Sequence, residues 1–347
     1  MSDRRIDRRR ALLLGAGAVG LSAIGASAAA GELDRMPGDP TVPADVGAFD
    51  LGTPATRHIR EKLLHNSTVM QSFAVDHKHK HLYAVQLMQG GIKLRGESAA
   101  VSGTARREHG DLCLTRLDLA GKKLGHMYLR GFGHGASLGV EVSGSRTYIW
   151  TEADASRKSG YGRGVARVEF ADGKVLDSDS DAVHVHHPVK GATGLRPSVD
   201  PFDGTLLVHY FDGDGKRRYR LMKLSDVVKG DYTAVHDVAV AGVSGKDVLQ
   251  GICVFGDYAY AMTGTAYTSE SGNNPPSKRG NTYLSSVHLP TGKLHQRKWT
   301  QAAYSLDYRE PEGLAVWPRS DGKHRLCLGF ASGKPGGRRF TVYYKSQ

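Results

Sequence analysis

Cysteine is scarce in this chain, too scarce for a disulfide framework. The 347 residues include three cysteines, Cys113, Cys253 and Cys327, and none has the spacing of a metal knuckle. Each stands between apolar residues in a strand-like run, so we expect buried thiols that pack as small hydrophobic groups. A catalytic thiol needs an activating neighbour, and nothing beside these positions supplies one. Small disulfide-rich folds and thiol chemistry are therefore not expected.

Acidic residues are outnumbered. The chain has 35 Asp plus Glu against 47 Lys plus Arg, a formal charge of +12, while 39% of its residues are hydrophobic. That hydrophobic content excludes a wholly disordered chain. The positive charge favours a polyanionic partner, which composition alone leaves as nucleic acid, an anionic membrane or an acidic glycan.

The N-terminus has the features of an export signal. Arg9-Arg10 precede a weakly apolar segment, and small residues at 26–30 provide cleavage sites. The arginine pair resembles the twin-arginine signal, which exports folded proteins. Residues 11–30 could instead remain as a membrane anchor, but four glycines and the lack of an aromatic belt favour cleavage. We therefore predict a signal peptide over residues 1–30 and a single mature domain over 31–347. The protein would be extracellular or cell-wall associated, monomeric, without a stable membrane anchor and without a nucleic-acid partner.

Helical periodicity is almost absent. Residues Thr56–Leu64 could form two amphipathic helical turns, but elsewhere short β-rich runs alternate with Gly, Asp and Lys turns, the pattern of an all-β protein. High glycine content, 44 residues, agrees with many turns.

Five segments share one pattern, in which a polar residue precedes a small or apolar strand, a turn and a second strand. They begin at Gln71, His134, Arg196, Gln250 and Glu312, at intervals of 63, 62, 54 and 62 residues. Most units continue with a second hairpin. Four strands repeated five times predict a five-bladed β-propeller, and a β-sandwich or two small barrels are the alternatives.

Both chain ends are expected to close the ring. The last unit has room for three strands after Glu312, the third over Phe340–Tyr344. We expect its outer strand to come from the N-terminal side, near Val46–Leu51, because such closure hides the free edges.

The first residues of the five inner strands define a predicted polar ring at one mouth of the central channel. A mouth that receives one polar residue from each blade suits a ligand, although these residues could simply hydrate the channel and pair with one another. Asp76, Glu141 and Asp200 fall deeper in their strands and are expected to serve the turns or the opposite end.

The ring contains one carboxylate, Glu312, with Glu310 nearby in sequence. Glycoside hydrolysis normally needs two opposed carboxylates, so a glycosidase is disfavoured. A polysaccharide lyase could use His134 as its base and Arg196 to neutralise a uronate, with Gln71, Gln250 and Glu312 binding substrate. A binding site for phosphate or carboxylate groups needs the same donors without a base. We expect no cofactor.

Histidine and aspartate tracts are the candidate metal sites. His77, His79 and His81 alternate with lysines, which would repel a cation, so a solvated turn is favoured. His184 and His186 share one side of a strand, but no third ligand is visible. The tract Asp177–Asp181 lacks the glycine and the distal glutamate of a calcium loop. We predict no metal.

Several motifs together resemble a known family. Thr68–Asp76 with His81-Leu-Tyr83, Gly133-His-Gly135, and Glu310-Pro-Glu-Gly-Leu314 are similar to the propellers of teichoic acid biosynthesis protein C and of phage tail receptor-binding proteins. The likeness covers about residues 48–347. It implies a five-bladed propeller acting at wall teichoic acid or a similar anionic surface glycan, and it brings no established catalytic residues. The predicted export signal does not agree with an intracellular role in biosynthesis.

Overall fold

The computed structural model describes residues 47–268 and 279–347, which form five β-sheets around a central axis. The first strand, β1 (Thr56–Lys62), is the outermost strand of the fifth blade. Blade 1 contains β2 (Met70–Asp76), β3 (His81–Leu87), β4 (Leu112–Asp118) and β5 (Lys123–Arg130), with helix α1 (Gly103–His109) between β3 and β4. Blade 2 contains β6 (Gly139–Ser143), β7 (Arg146–Ala155), β8 (Gly162–Glu169) and β10 (His184–His186), and β9 (Val175–Asp177) lies between β8 and β10 in sequence.

The remaining blades repeat this order from the axis outwards. Blade 3 contains β11 (Thr193–Val199), β12 (Thr205–Phe211), β13 (Arg217–Lys223) and β14 (Ala234–Ala239), with helix α2 (Leu224–Val228) after β13. Blade 4 contains β15 (Leu249–Phe255), β16 (Tyr258–Thr263), β17 (Thr282–His288) and β18 (Lys293–Thr300). Blade 5 contains β19 (Glu310–Trp317), β20 (Arg325–Ser332), β21 (Arg339–Ser346) and β1. The predicted five-bladed propeller is confirmed.

Burial follows position in the blade. The inner strands β2 and β15 are buried at every residue, because other inner strands and adjacent blades cover both of their faces. The outer strand β18 is largely exposed. Inner strands therefore read as continuous runs of apolar and small residues, whereas outer strands carry the charged residues.

Hydrophobic clusters fill the spaces between blades. Between blades 1 and 2, for example, Tyr83 and Leu114 pack with Ile149 and Val168. The three cysteines are free and buried, as expected. Neither helix described in the chain is long or apolar enough to cross a bilayer.

The predicted closure of the ring is correct, but its residues are not. The outer strand of blade 5 is β1, which pairs antiparallel with β21 through Ile59 and Val342. Residues Thr56–Leu64 are thus mainly strand and not helical turns, because Ile59 is drawn into the interface between blades 5 and 1. Phe49 and Leu51 are buried against blade 4 without forming a strand; the Phe49 backbone N–H donates to the Tyr260 hydroxyl at 3.1 Å. Val46 and the predicted signal peptide lie outside the described residues.

Blade 2 also departs from the predicted repeat. Its inner strand begins at Gly139, five residues after His134, which lies in the loop before the strand. In addition, β9 pairs in parallel with β5 of blade 1, joining Tyr128–Arg130 to Val175–Asp177. The connection between β8 and β10 of blade 2 therefore supplies a fifth strand to the sheet of blade 1.

Acid is expected to destabilise the fold through a buried histidine of blade 2. The His186 ring stacks on Trp150 with centroids 5.5 Å apart, and burial, followed by the nearby charges of His184 and Arg167, lowers the pKa of His186 to about 4. The unfolded chain binds the proton first, with a pKa near 6.5, so stability present above that value is lost as pH falls. This group should remove about 2 kcal/mol between pH 7 and pH 5.

Urea unfolding at the two pH values measures this dependence. His186→Phe keeps an aromatic ring on Trp150 and should flatten the pH dependence, while His295→Gln on the exposed strand β18 should leave it unchanged. An unaltered slope in His186→Phe would assign the acid sensitivity to other groups.

Candidate functional site

Contacts between neighbouring inner strands bring the five predicted ring positions to one level. Hydrogen bonds join blades 1 to 4 in succession: Ser72 Oγ donates to Gly135 O at 2.7 Å, Ser137 Oγ to Pro197 O at 2.6 Å, and the Arg196 guanidinium to Leu249 O at 3.1 Å. Close backbone contacts complete the circle, since Gly251 of blade 4 abuts Gly313 of blade 5, and Gly313 abuts Ser72 of blade 1. Each contact lies within a few residues of a ring position. The structure therefore places Gln71, His134, Arg196, Gln250 and Glu312 around the same end of the channel.

Irregular strand pairing accompanies four of these positions. The register shifts at Gln71 in β2, at Gln250 in β15, and at Glu312 in β19, and it shifts just before Arg196 in β11. A bulge re-aims a side chain and interrupts regular pairing. In blade 2, His134 lies in the loop before β6. Four of the five ring positions are therefore outside regular strand pairing, and Arg196 directly follows a break in it.

Glycines beside the ring allow the inner strands to approach each other. Gly313 has a φ of +85°, and a Cβ on it would lie 2.9 Å from Ser72 Cα. A Cβ on Gly251 would lie 2.6 Å from Leu314 N. These glycines therefore serve the contact between backbones.

An apolar layer lies below the ring. A cavity of about 20 Å³ there is lined by residues that follow the ring positions in sequence, including Ala74, Leu138, Val199, Cys253 and Leu314. That is room for about one water molecule. A larger ligand therefore does not fit in this cavity.

A pocket of about 480 Å³ opens at this mouth, between blades 1 and 5 and with residues of blade 4 at one side. We call it the mouth pocket; it is lined by residues that include Gln71, Met88, Arg107, Tyr267, Glu310 and Arg338. One ring residue, Gln71, thus lines it directly. Its size lies within the range of small-ligand sites, and its combination of apolar walls with a few polar groups is typical of them.

Arginines surround the mouth pocket. The guanidinium of Arg338 lies 3.5 Å from the Glu310 carboxylate. Arg309, next to Glu310 in sequence, does not line the pocket. It is fully buried between blades 4 and 5, and its guanidinium lies over the rings of Tyr267 and Phe330 at 5.2 and 4.6 Å. Burial lowers the pKa of Arg309 to about 10, so it remains charged at neutral pH. Within residues 47–268 and 279–347 it has no carboxylate partner.

On the neighbouring blade 2, His134 stacks on Tyr161. The ring centroids are 4.6 Å apart and the planes are inclined by 16°. Behind them lies the buried carboxylate of Glu152, which accepts the His134 backbone N–H at 3.0 Å. Burial raises the pKa of Glu152, while hydrogen bonds from backbone N–H groups and the charge of Arg196 oppose that shift.

The acidic residues placed deeper in the strands have structural contacts. Asp76 accepts hydrogen bonds from the His79 backbone and from Thr147 of blade 2. Asp200 accepts the backbone N–H groups of Phe202, Asp203 and Gly256. Glu141 pairs with Arg167 at 2.7 Å and accepts from Trp150. Asp76 and Asp200 therefore fix the turns at the other end of the channel.

The histidine tracts form no recognisable metal site. The rings of His184 and His186 are in contact, with centroids 4.5 Å apart, and His186 Nδ1 lies 3.2 Å from the Tyr232 hydroxyl. Across the described part of the chain, no group of three or more His, Cys, Asp or Glu residues could hold a metal ion.

One serine lies in a sequence that matches a hydrolase motif, but the local structure does not match it. Gly135-Ala-Ser137-Leu-Gly139 has the Gly-x-Ser-x-Gly spacing of a nucleophile elbow, which requires a strand followed by a helix. Here Ser137 is buried in a loop that leads into β6, and its hydroxyl donates to Pro197 O. It links two blades and is not placed as a nucleophile.

Several residues of the mouth could not be predicted from the sequence. Arg107, in α1, and Arg338, in a loop, lie between the second and third strands of blades 1 and 5, and nothing in the linear sequence relates them. Tyr161 belongs to the corresponding loop of blade 2. Glu152 could have been recognised from the sequence, because it is the single acidic residue in the largely apolar segment Tyr148–Ala153.

Comparison with known proteins identifies the family. The model of the phage 5-bladed β-propeller receptor binding platform domain matches residues 69–344. The chain therefore belongs to that family.

Two relatives place the family in context. A curated protein of Bacillus subtilis (strain 168), "Putative major teichoic acid biosynthesis protein C", is 23% identical over 300 residues, which cover 85% of this chain and 63% of the relative. The solved tail fiber of Staphylococcus aureus phage P68 aligns with a TM-score of 0.64 at 18% identity, covering 86% of this chain and 54% of the fiber. The chain spans between one half and two thirds of the length of these relatives.

Proposed function

We propose that this protein binds an anionic cell-surface glycan, such as wall teichoic acid, at the mouth of its propeller. The observation that carries the proposal is the ring of five polar positions beside a pocket lined by Arg107 and Arg338. The family supports it, since its model describes a receptor binding platform, and one relative's name refers to teichoic acid biosynthesis. The sequence of residues 1–30 supports export by the twin-arginine route and a site of action outside the cytoplasm.

Net charge supports the same partner. The first 46 residues contain six basic and six acidic residues, and residues 269–278 contain one of each, so the full excess of +12 falls on the described residues. A propeller with that charge attracts polyanions over distances of about a screening length.

Binding should depend strongly on salt. Titration of the protein with purified wall teichoic acid is expected to show affinity that falls about tenfold or more between 50 and 500 mM NaCl, because exposed charge pairs are screened. Neutral dextran is the matched control and should not bind. Teichoic acid binding that is insensitive to salt would contradict an electrostatic receptor, and no binding to it would remove this ligand from the proposal.

A polysaccharide lyase is the second candidate. It is favoured by one observation: the ring contains one imidazole, His134, and one guanidinium, Arg196, on adjacent blades, and only one carboxylate, Glu312. In this function His134 would remove the proton and Arg196 would neutralise the uronate, leaving Gln71, Gln250 and Glu312 to hold the chain.

Incubation with uronate-containing glycans tests the second candidate through the absorbance of a newly formed unsaturated uronate. If product forms, His134→Ala should reduce its rate by at least about 100-fold, because the base is lost. Full activity in that variant would refute the role of His134, and a lack of product from every glycan would leave binding as the function.

A further inference from the structure

A single buried carboxylate connects the two loops that form the blade 2 side of the mouth. Glu152 lies in β7 and has no exposed surface. Its Oε2 accepts the backbone N–H groups of His134 at 3.0 Å and Gly162 at 2.9 Å, and its Oε1 accepts that of Ala136 at 3.0 Å. One side chain therefore fixes the loop that carries His134 and the end of the loop that carries Tyr161.

Two glycines are shaped to this carboxylate. A Cβ on Gly133 would lie 2.5 Å from Glu152 Cβ, and a Cβ on Gly162 would lie 2.7 Å from the same atom. Neither position accepts a larger residue without moving the glutamate. Gly133 and Gly162 thus pack directly against Glu152, and the three residues lie beneath the stacked rings of His134 and Tyr161.

Burying a carboxylate is unfavourable unless hydrogen bonds and charge compensate for it. Three backbone donors and the charge of Arg196 oppose the effect of burial, which still raises the pKa of Glu152. Arg196 is beside this loop because its neighbour Pro197 accepts the Ser137 hydroxyl at 2.6 Å. An apolar residue would fill the same space without this requirement, but it could not hold three N–H groups of two loops. The presence of a buried carboxyl group is explained by the geometry that it imposes on the mouth.

We propose that Glu152 is a positioning residue that holds His134 and Tyr161 as one stacked surface, and that this surface, together with Arg196, is a subsite for the anionic group of the bound polymer. The anionic group is a phosphodiester or a carboxylate, whose shared chemistry suits an imidazole and a guanidinium. The subsite rests on the proposed function, whereas the positioning role can be measured without a ligand.

Histidine ring signals in NMR spectra test the positioning role. Stacking on Tyr161 should change the chemical shifts of the His134 ring protons. The variant His134→Gln identifies these signals, because they disappear from its spectrum. The variant Tyr161→Leu gives their chemical shifts without stacking. Glu152→Ala should move the signal to that same unstacked value. Glu152→Gln, which keeps acceptors for two of the three N–H groups, should shift it less. Glu141→Gln is the matched control, since it removes another charged contact of blade 2 and should leave the signal in place.

Binding measurements test the subsite with wall teichoic acid as the phosphodiester and polyuronate as the carboxylate. Tyr161→Ala and Glu152→Ala should each weaken binding of the preferred polymer about tenfold, and the double variant should lose no more than either one. Glu141→Gln should stay within about twofold of the wild type.

A stacked His134 signal in Glu152→Ala overturns the positioning role, and additive losses in the double variant overturn the shared subsite. If the wild-type protein binds neither polymer, the proposed function and its subsite both fail. The ring signal of His134 then still decides whether Glu152 positions the pair.

Discussion

Replacing Gly313 with alanine is expected to destabilise the propeller by about 3 kcal/mol. The residue has a φ of +85°, where an L side chain costs about 1–2 kcal/mol. The added methyl group would also lie 2.9 Å from Ser72 Cα, and such overpacking typically costs about 1–3 kcal/mol. The inner strands of blades 5 and 1 would have to separate, which affects ring closure directly.

Gly336→Ala is the matched control. Gly336 has a φ of +83°, but no atom lies within 4 Å of the position of its Cβ, so this variant carries the backbone strain without the clash. Urea unfolding of both variants should show a larger loss for Gly313→Ala. Equal losses would mean that the contact between the two inner strands tolerates a methyl group.

Reversing the charge of Arg107 should weaken binding of an anionic polymer by about tenfold or more. Arg107 is exposed and lines the mouth pocket, so Arg107→Glu replaces attraction by repulsion where the ligand is proposed to bind. Since tenfold corresponds to about 1.4 kcal/mol, the effect is well above the error of a titration.

Lys229→Glu provides a control with the same change in net charge. Lys229 is exposed at the end of α2, which follows the third strand of blade 3 at the opposite end of the blade from the mouth. Comparable losses in the two variants would show that total charge, and not the mouth pocket, determines binding.

The repeat made the fold predictable. Inner strands are covered on both sides, so each is a run of small or apolar residues, and a polar residue at its start is easily recognised. Five such polar residues, at intervals of 54 to 63 positions, define the five blades. The same signal located the ring positions. It misplaced His134 relative to its strand, because the loop before β6 is extended and apolar and therefore reads as strand.

The strand that closes the ring and the residues of the mouth pocket were harder to predict from the sequence. Strand β1 contributes little more than Ile59 to the core, so its pattern is as compatible with a short amphipathic helix as with an edge strand. Arg107, Tyr267 and Arg338 reach one pocket from three different blades. Their proximity is created by the ring, and no local pattern encodes it. Whether the ring residues bind or catalyse remains a prediction.

The pairing of β1 with β21 has a consequence for how the protein is made. Ile59 and Val342 are 283 positions apart, and bringing together the ends of a flexible segment of that length costs about 5 kcal/mol of chain entropy. During synthesis, β1 leaves the ribosome before any of the four complete blades, yet its partner β21 is translated after all of them. The first strand must therefore wait without its partner until those four blades have emerged, and the fifth blade closes after the others.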